Sequence, residues 1–372
     1  MPWTWKQIQQ DWLLDGRVAP DPSTVVEAFE RVEAAFGHHW IEQSRTQPLV
    51  VPKGSPAQTT IDRGAYPVLT VVKMGGLLAS LEGIPGADML IGKLRRGERA
   101  AIAEATAIHL LRQHPSDIEV ELEPPVPIPG RPDKRSDFRV RRNGDPWTYV
   151  EVSATDKTAT EREAIELLKQ LAAPIHSMSG SFGLELFFHN LPDNDEIEAI
   201  LRRVRDLGGR PDSLHQELPE GLGTLLYDTD RHPADMSARI PNEPYRPGLS
   251  RAEVVQGDGE VRSITVQLPY ADTRGPKKLG KEALQLPRDD RGLVMIDTAG
   301  APGSRHTWEP AIRDDLHDHT RVSAVCLFAW ACLPRDDLAE YFSVVGRLIA
   351  NPSARRTLPS WIIERLTALR EP

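Results

Sequence analysis

The 372-residue chain is poor in cysteine and contains only Cys326 and Cys332. Two cysteines cannot build a disulfide framework or a four-thiolate zinc site, so small disulfide-rich and zinc-ribbon proteins are excluded. Both cysteines lie in or beside an apolar run, and we therefore expect them to be buried in a protein from a reducing compartment.

We expect no signal peptide, and the sequence contains no long hydrophobic run. Its first five residues, Met-Pro-Trp-Thr-Trp, have neither the basic nor the apolar region of a signal peptide. The longest nearly apolar stretch, residues 322–333, has 12 residues, whereas a membrane-spanning helix needs about 20. We expect a cytoplasmic protein without membrane contacts, in which residues 322–331 form a buried strand.

Positive charge is in deficit, because 45 basic residues face 54 acidic ones and the net charge is −9. This balance argues against a protein whose whole surface binds nucleic acid, but it permits a local basic surface. Residues 131–142 hold six basic and two acidic residues, and residues 93–99 hold four basic residues and one acid. A polyanion site is expected near these segments; the alternative is that both are ordinary solvated surfaces.

The common nucleotide and hydrolase motifs are missing as well. The sequence contains no G-x-x-x-x-G-K-[ST], G-x-G-x-x-G, G-x-S-x-G or H-E-x-x-H. The most frequent NTPase, dinucleotide-binding, serine-hydrolase and zinc-protease architectures are therefore not expected.

The hydrophobic period divides the chain into three parts. Helical spacing predicts an N-terminal helical segment over residues 1–92, with helices at 23–44 and 67–81, and a further helix at 94–113. From residue 118 the period changes to two, and helices and strands then alternate. We expect an α/β core over 93–335, a mixed sheet flanked by helices, with an irregular insertion at about 208–260. Residues 336–372 are predicted to be a C-terminal helical tail.

Two alternating runs around Asn143-Gly144-Asp145 predict a β-hairpin over residues 136–153. If the turn centres on Gly144, Phe138 lies opposite Val150 and Asp137 lies opposite Glu151. Directly opposed carboxylates repel each other, with Cβ atoms about 5 Å apart. A hard divalent cation such as Mg²⁺ or Mn²⁺ is the natural compensation.

A third acid, Glu104, falls on the apolar stripe of the predicted helix 94–113. A carboxylate on a buried stripe is costly unless it has a partner or a ligand. Glu104 is therefore predicted to join the site, although pairing with a nearby arginine is the alternative.

This succession of elements resembles the PD-(D/E)xK nuclease superfamily, which has the restriction-endonuclease-like core. The resemblance rests on a helix with Glu104, the strand Ser136-Asp137-Phe138, and the strand Tyr149-Val150-Glu151-Val152-Ser153 followed by a helix. A later helix and strand, residues 277–287 and 293–297, add to it, and the likeness covers roughly residues 94–330. It implies that Asp137 and Glu151 hold one or two Mg²⁺ ions, with Glu104 assisting, and that Gln285 faces the site.

The sequence departs from this family at one position, because Ser153 stands where the motif has a lysine. A hydroxyl group cannot replace an ammonium in stabilising developing negative charge. Lys157 or Lys169 could supply the ammonium, the metal alone could support slow cleavage, or the fold could be a catalytically silent scaffold.

The leading hypothesis is metal-dependent hydrolysis of phosphodiester bonds in nucleic acid by a bacterial protein, with DNA favoured over RNA. An inactive nuclease-like fold that binds nucleic acid or protein is the second hypothesis, and an unrelated α/β protein with solvated acids is the third. A homodimer or a protein partner fits either of the first two. The predicted phosphate-contacting residues are Arg131, Lys134, Arg135, Arg139, Arg141 and Arg142.

Overall fold

The computed structural model describes residues 3–11, 21–46, 65–112, 117–126, 134–155, 166–167, 170, 180–190, 192–207, 212–218, 221–229, 249–255, 261–267, 274–298, 304–332 and 342–369. None of the helices within these ranges combines the length and apolar character needed to cross a membrane.

Six helices precede the first strand and pack around a shared apolar core. They are α1 (Trp5–Asp11), α2 (Pro22–Phe36), α3 (His38–Thr46), α4 (Ala65–Leu81), α5 (Ala87–Arg95) and α6 (Arg99–Leu111). Two predicted helices, 23–44 and 94–113, are each split in two, because Gly37 and Gly97 have φ angles of 87° and 72°. Glycine adopts this left-handed region without steric cost, and it ends a helix there.

Eleven strands and four further helices are described after α6. The strands are β1 (Ile118–Leu122), β2 (Phe138–Arg142), β3 (Thr148–Ala154), β4 (Phe182–Phe188), β5 (Leu214–Glu217), β6 (Gly223–Asp228), β7 (Leu249–Val255), β8 (Val261–Gln267), β9 (Arg291–Asp297), β10 (Ala324–Cys332) and β11 (Phe342–Ala350). The helices are α7 (Asn194–Leu207), α8 (Arg274–Ala283), α9 (Ser304–Asp315) and α10 (Ser360–Thr367).

A six-stranded mixed sheet with the order β1-β2-β3-β9-β10-β11 forms the centre of the protein. The strands β1, β2 and β3 are antiparallel neighbours, β3, β9 and β10 run parallel, and β11 is antiparallel to β10. One face packs on the N-terminal helices and the other on α8 and α9. The predicted class, a mixed sheet flanked by helices, is confirmed. As predicted, β10 is a buried strand, and the Cys326 side chain on it is inaccessible.

A second sheet, with the order β5-β6-β4-β8-β7, lies between β3 and α8 in the sequence and packs on α7. The prediction of an irregular insertion at 208–260 was wrong for the described part, which contains β5, β6 and β7. These strands carry many polar residues, and they are held in place by strand pairing: β6 lies between β4 and β5, and β7 pairs with β8. Such tertiary stabilisation leaves little trace in the local hydrophobic period. The helix expected to follow the strand at 149–153 falls mostly outside the described residues.

The predicted C-terminal helical tail was also wrong in part, because among the residues described there 342–350 form β11 and 360–367 form α10. Gly346 and Arg347 interrupt the apolar pattern of this strand. The glycine is required there, since a Cβ atom at Gly346 would lie 2.7 Å from the carbonyl oxygen of Leu327 on β10.

Candidate active site at the β2–β3 hairpin

The predicted hairpin register is confirmed, because Phe138 pairs with Val150 and Val140 pairs with Thr148. One further step along this register places Asp137 opposite Glu151. Phe138 and Val150 are buried in the core beneath the N-terminal helices, whereas Tyr149 packs in the core formed with α8 and α9. Strand alternation therefore directs Glu151 and Ser153 toward α8.

Asp137 is anchored to the neighbouring strand, since its Oδ2 atom accepts a hydrogen bond from the backbone N–H of Val152 at 2.6 Å. Burial raises the pKa of Asp137, and the negative charge of Glu282 acts in the same direction. The Val152 hydrogen bond and the charges of Lys134 and Lys93 oppose this rise. The carboxyl group is thus held in a fixed position in an environment that disfavours its negative charge.

The surroundings of Glu151 strongly disfavour the negative charge of its carboxyl group. Its side chain is 2% exposed, and its Oε1 atom is buried without a hydrogen-bond partner among the described residues. Burial, followed by the charges of Asp137 and Glu282, raises the pKa of Glu151 to about 9. A buried acceptor without a donor costs about 1–3 kcal/mol. A cation or a proton at this carboxyl group would remove that cost.

Glu104 extends the cluster from α6. Burial raises the pKa of Glu104 to about 8, with the charges of Asp137 and Glu123 adding to this effect and that of Lys93 opposing it. The alternative of a neutralising arginine is not what the structure shows, because the cation that acts on Glu104 is a lysine. The predicted association of Glu104 with Asp137 is therefore supported by their electrostatic coupling.

The helix α8 and the turn that follows it each contribute a polar side chain to the same region. Gln285, just after this helix, accepts a hydrogen bond from Lys134 and donates one to Glu282. Glu282 is 3% exposed and raises the pKa of both Asp137 and Glu151. Glu282 is not among the residues predicted from the sequence. Its position three residues after the buried Leu279 was the available signal, and it is the same signal that identified Glu104.

A second residue missed from the sequence is Lys278, which lies one turn before Glu282. Its Nζ atom donates hydrogen bonds to Ser153 Oγ at 2.9 Å and to the carbonyl oxygen of Ala154 at 2.6 Å. The two lysines proposed to compensate for Ser153, Lys157 and Lys169, lie outside the described residues.

The carboxylate oxygen atoms at this site suit a hard divalent cation that takes only a few of its ligands from the protein. Glu151 Oε1 has no hydrogen-bond donor among the described residues, and the opposed carboxylates offer the oxygen atoms that Mg²⁺ prefers. Across the described part of the chain, no three His, Cys, Asp or Glu side chains converge closely enough to hold a metal by themselves. Mg²⁺ is commonly held by one or two carboxylates, with water and substrate phosphate completing the shell.

The basic segment of the hairpin is largely neutralised by β1. Three arginines of β2 form ion pairs with acids on or beside β1: Arg139 with Glu121 at 2.9 Å, Arg141 with Glu119 at 2.6 Å, and Arg142 with Asp117 at 2.7 Å. The guanidinium groups of Arg139 and Arg141 both stack on Trp147, 4.4 Å from the ring centroid.

The remaining basic residues of this segment differ in what they interact with. Arg135 is exposed and donates to the carbonyl oxygen of Glu123 at 2.7 Å. Arg131 lies outside the described residues. Lys134 lowers the pKa of both Asp137 and Glu151, and it is therefore directed to the candidate site.

Comparison with known proteins finds no matching family model, no matching curated protein and no matching solved structure. The function must therefore be argued from the chemistry of the hairpin and its surroundings.

Proposed function

We propose that this protein hydrolyses phosphodiester bonds of nucleic acid with the help of Mg²⁺ or Mn²⁺. The observation that carries the proposal is the pair Asp137 and Glu151. They lie on adjacent strands in a confirmed register, and Glu151 Oε1 is buried without a hydrogen-bond donor among the described residues. Buried carboxyl groups without a counter-charge destabilise the folded protein. Groups with strongly shifted pKa values cluster at functional sites, where a ligand compensates them.

The order of elements adds support for a PD-(D/E)xK-type core. The helix α6, the antiparallel strands β1, β2 and β3, the helix α8 and the strand β9 parallel to β3 follow one another as the resemblance implies. The second sheet is inserted between β3 and α8. Asp137 directly precedes β2 and Glu151 lies on β3, and these two strands are in the interior of the six-stranded sheet.

Each residue has a defined task in this proposal. Asp137 and Glu151 would hold the ion, which supplies positive charge for the phosphate and lowers the pKa of water. Glu104, with its raised pKa, can carry a proton near neutral pH. In the reaction a water oxygen forms a bond to phosphorus and the bond to the leaving sugar oxygen breaks. One water proton ends on that oxygen, and the product phosphate releases the other.

Lys134 is the best placed of the predicted phosphate-contacting residues, since its charge acts directly on Asp137 and Glu151. The arginines of β2 are balanced by acids of β1, so they offer less net charge to a phosphate backbone than the sequence indicates. DNA is the proposed substrate, with RNA as the alternative polymer.

A cleavage assay on labelled duplex DNA, single-stranded DNA and RNA tests this function. The wild-type protein should cut at least one of them with Mg²⁺ or Mn²⁺ and none with EDTA. The Glu151→Gln variant should be inactive, because the neutral amide cannot hold the ion. The matched control is Asp228→Asn, which changes an equally buried acid on β6 and should retain activity. Equal cleavage by wild type and Glu151→Gln would contradict the proposal.

The inactive binding module remains the second candidate, and one feature of the surface favours it. A groove of about 950 Å³ lies beside the edge strand β1 and is lined by Pro85, Gly86, Arg112, Asn143 and Trp147 together with β1 itself. Edge strands and grooves of this kind are common sites of peptide binding. This candidate would be favoured if the wild-type protein bound nucleic acid or a protein partner but cleaved none of the nucleic acids.

A further inference from the structure

We propose that Lys278 supplies the ammonium group that the strand β3 lacks at Ser153. This inference rests on the proposed function and deepens it, because it assigns a phosphate-contacting cation to the same site. It replaces the two lysines considered from the sequence with a residue from α8, which is distant in the chain and adjacent in the fold.

The geometry of Lys278 is defined by two short contacts. Its Nζ atom lies 2.9 Å from Ser153 Oγ and 2.6 Å from the carbonyl oxygen of Ala154. A protonated amine has three donors and no acceptor. Both contacts use the amine as a donor, and they place it beside the side chain that occupies the motif position.

The backbone around Lys278 fixes this placement. The next residue, Leu279, and Ala283 one turn later are buried in the core between the six-stranded sheet and α9. The helix cannot rotate without removing these side chains from the core. On the facing strand, Ser153 and Glu151 share the surface directed toward α8. The ammonium thus has a rigid support on the same side of the sheet as the Glu151 carboxyl group.

The small size of Ser153 is what makes room for this arrangement. A lysine at position 153 would bring a second ammonium to the place that Lys278 already occupies, and like charges in a partly buried space repel strongly. Serine instead offers a hydroxyl oxygen as an acceptor for the ammonium. The loss of the motif lysine and the presence of Lys278 are therefore linked by packing and charge.

A fixed ammonium beside the carboxylates would contact a phosphate oxygen of the bound polymer and stabilise the negative charge that develops during hydrolysis. Removing one such preorganised group typically lowers the rate constant about 10²–10³-fold. It also removes one charge from the phosphate-binding surface, which lowers the slope of log K against log salt by about 0.9 for duplex DNA.

The test compares Lys278→Met with Lys277→Met, a neighbouring lysine on α8 that is exposed to solvent. Two measurements are made on each. Cleavage rates are measured at saturating Mg²⁺. Binding of labelled duplex DNA is measured over a range of salt concentrations in a Glu151→Gln background, which holds the substrate without cleaving it. Circular dichroism confirms that each variant is folded.

We expect Lys278→Met to lower the cleavage rate about 10²–10³-fold and the salt slope by about 0.9, and Lys277→Met to change neither by as much. The double variant Ser153→Lys, Lys278→Met should recover most of the rate, since it moves the ammonium to β3. If Lys278→Met cleaves and binds like Lys277→Met, the inference is overturned while the proposed function stands.

The two failures are distinguishable. A wild-type protein that binds DNA without cutting it, with a salt slope that falls in Lys278→Met but not in Lys277→Met, supports Lys278 as the phosphate contact and overturns the hydrolysis. A wild-type protein that neither binds nor cuts overturns both.

Discussion

The two sheets of this protein each bury a carboxyl group on a strand, and they treat it differently. In the five-stranded sheet, Asp228 at the end of β6 is 3% exposed and accepts a hydrogen bond from Ser213 Oγ at 3.0 Å. In the six-stranded sheet, Glu151 is 2% exposed, and its Oε1 atom has no donor among the described residues. Burial is equal, but Glu151 also has the charges of Asp137 and Glu282 beside it, which raise its pKa against a hydrogen bond from the Ser136 side chain.

The proposed function assigns a structural role to Asp228 and a ligand-binding role to Glu151. A buried carboxyl group with a hydrogen-bond donor is part of the packing of its sheet. One surrounded by further acids, as Glu151 is by Asp137 and Glu282, is stable only when a proton or a cation joins it. The cluster around Glu151 therefore has the composition that the proposed metal site requires.

The largest expected difference between the sheets concerns metal ions. Mg²⁺ or Mn²⁺ at 1,000-fold above its Kd should stabilise the folded protein by about 4.1 kcal/mol, because the ion binds the folded state only. Asp137→Asn should remove most of this stabilisation and Asp228→Asn should leave it intact. Thermal unfolding of the three proteins with EDTA and with added metal measures it. Identical melting curves for the wild type under both conditions would show that the opposed carboxylates do not bind metal.

The hairpin was predictable from the sequence for a simple physical reason. Strand alternation and the Asn143-Gly144 turn both fix the register, and a slip by one residue would expose Phe138 and Val150 while burying Arg139. Two independent local signals therefore agreed on the same pairing. The placement of Glu104 followed equally from local periodicity, since a single acid on an apolar helix stripe is conspicuous.

The partners of the hairpin were not predictable, because they come from distant parts of the chain. Lys278 reaches Ser153 across 125 positions, and nothing in the local sequence indicates it. Gln285, which reaches Lys134 across 151 positions, was expected only from the family resemblance. The ion pairs between β1 and β2 were missed for another reason. Charge was counted within residues 131–142, whereas the balancing acids, such as Glu119 and Glu121, lie on the preceding strand. The net charge at a sheet surface depends on all the strands that lie side by side there, so a count along one segment misses the balancing acids.

The second prediction concerns a lysine that contacts a strand of the six-stranded sheet. Lys73 on α4 lies 5.1 Å from the centroid of the Trp330 ring, and burial lowers its pKa to about 8, with Asp297 opposing this effect and Arg99 adding to it. Between about pH 8 and 10.5 the unfolded chain holds more protons at this lysine than the folded protein does. The free energy of unfolding should therefore rise with pH in this window, by about 1.4 kcal/mol for each pKa unit.

Lys73→Met should remove this rise. The variant should be more stable than the wild type near pH 7, and the difference should shrink as the pH approaches 10.5. Urea denaturation at several pH values measures both curves, with Lys277→Met as the exposed control. A constant difference between Lys73→Met and the wild type over this range would show that Lys73 titrates normally in the folded protein.

The smallest expected effect concerns the paired arginines. Arg141 donates a hydrogen bond to Glu119 and stacks on Trp147. The Arg141–Glu119 ion pair therefore brings little net charge to an approaching phosphate. Arg141→Gln should change DNA affinity less than Lys134→Gln does, because Lys134 acts on the site carboxylates and Arg141 does not reach them through any described contact. It should also cost about 0.2–1 kcal/mol of stability, the range of an exposed ion pair. Fluorescence anisotropy at several salt concentrations compares the two variants. A larger fall in affinity and salt slope for Arg141→Gln than for Lys134→Gln would move the phosphate-binding surface from the carboxylates to the outer face of β1 and β2.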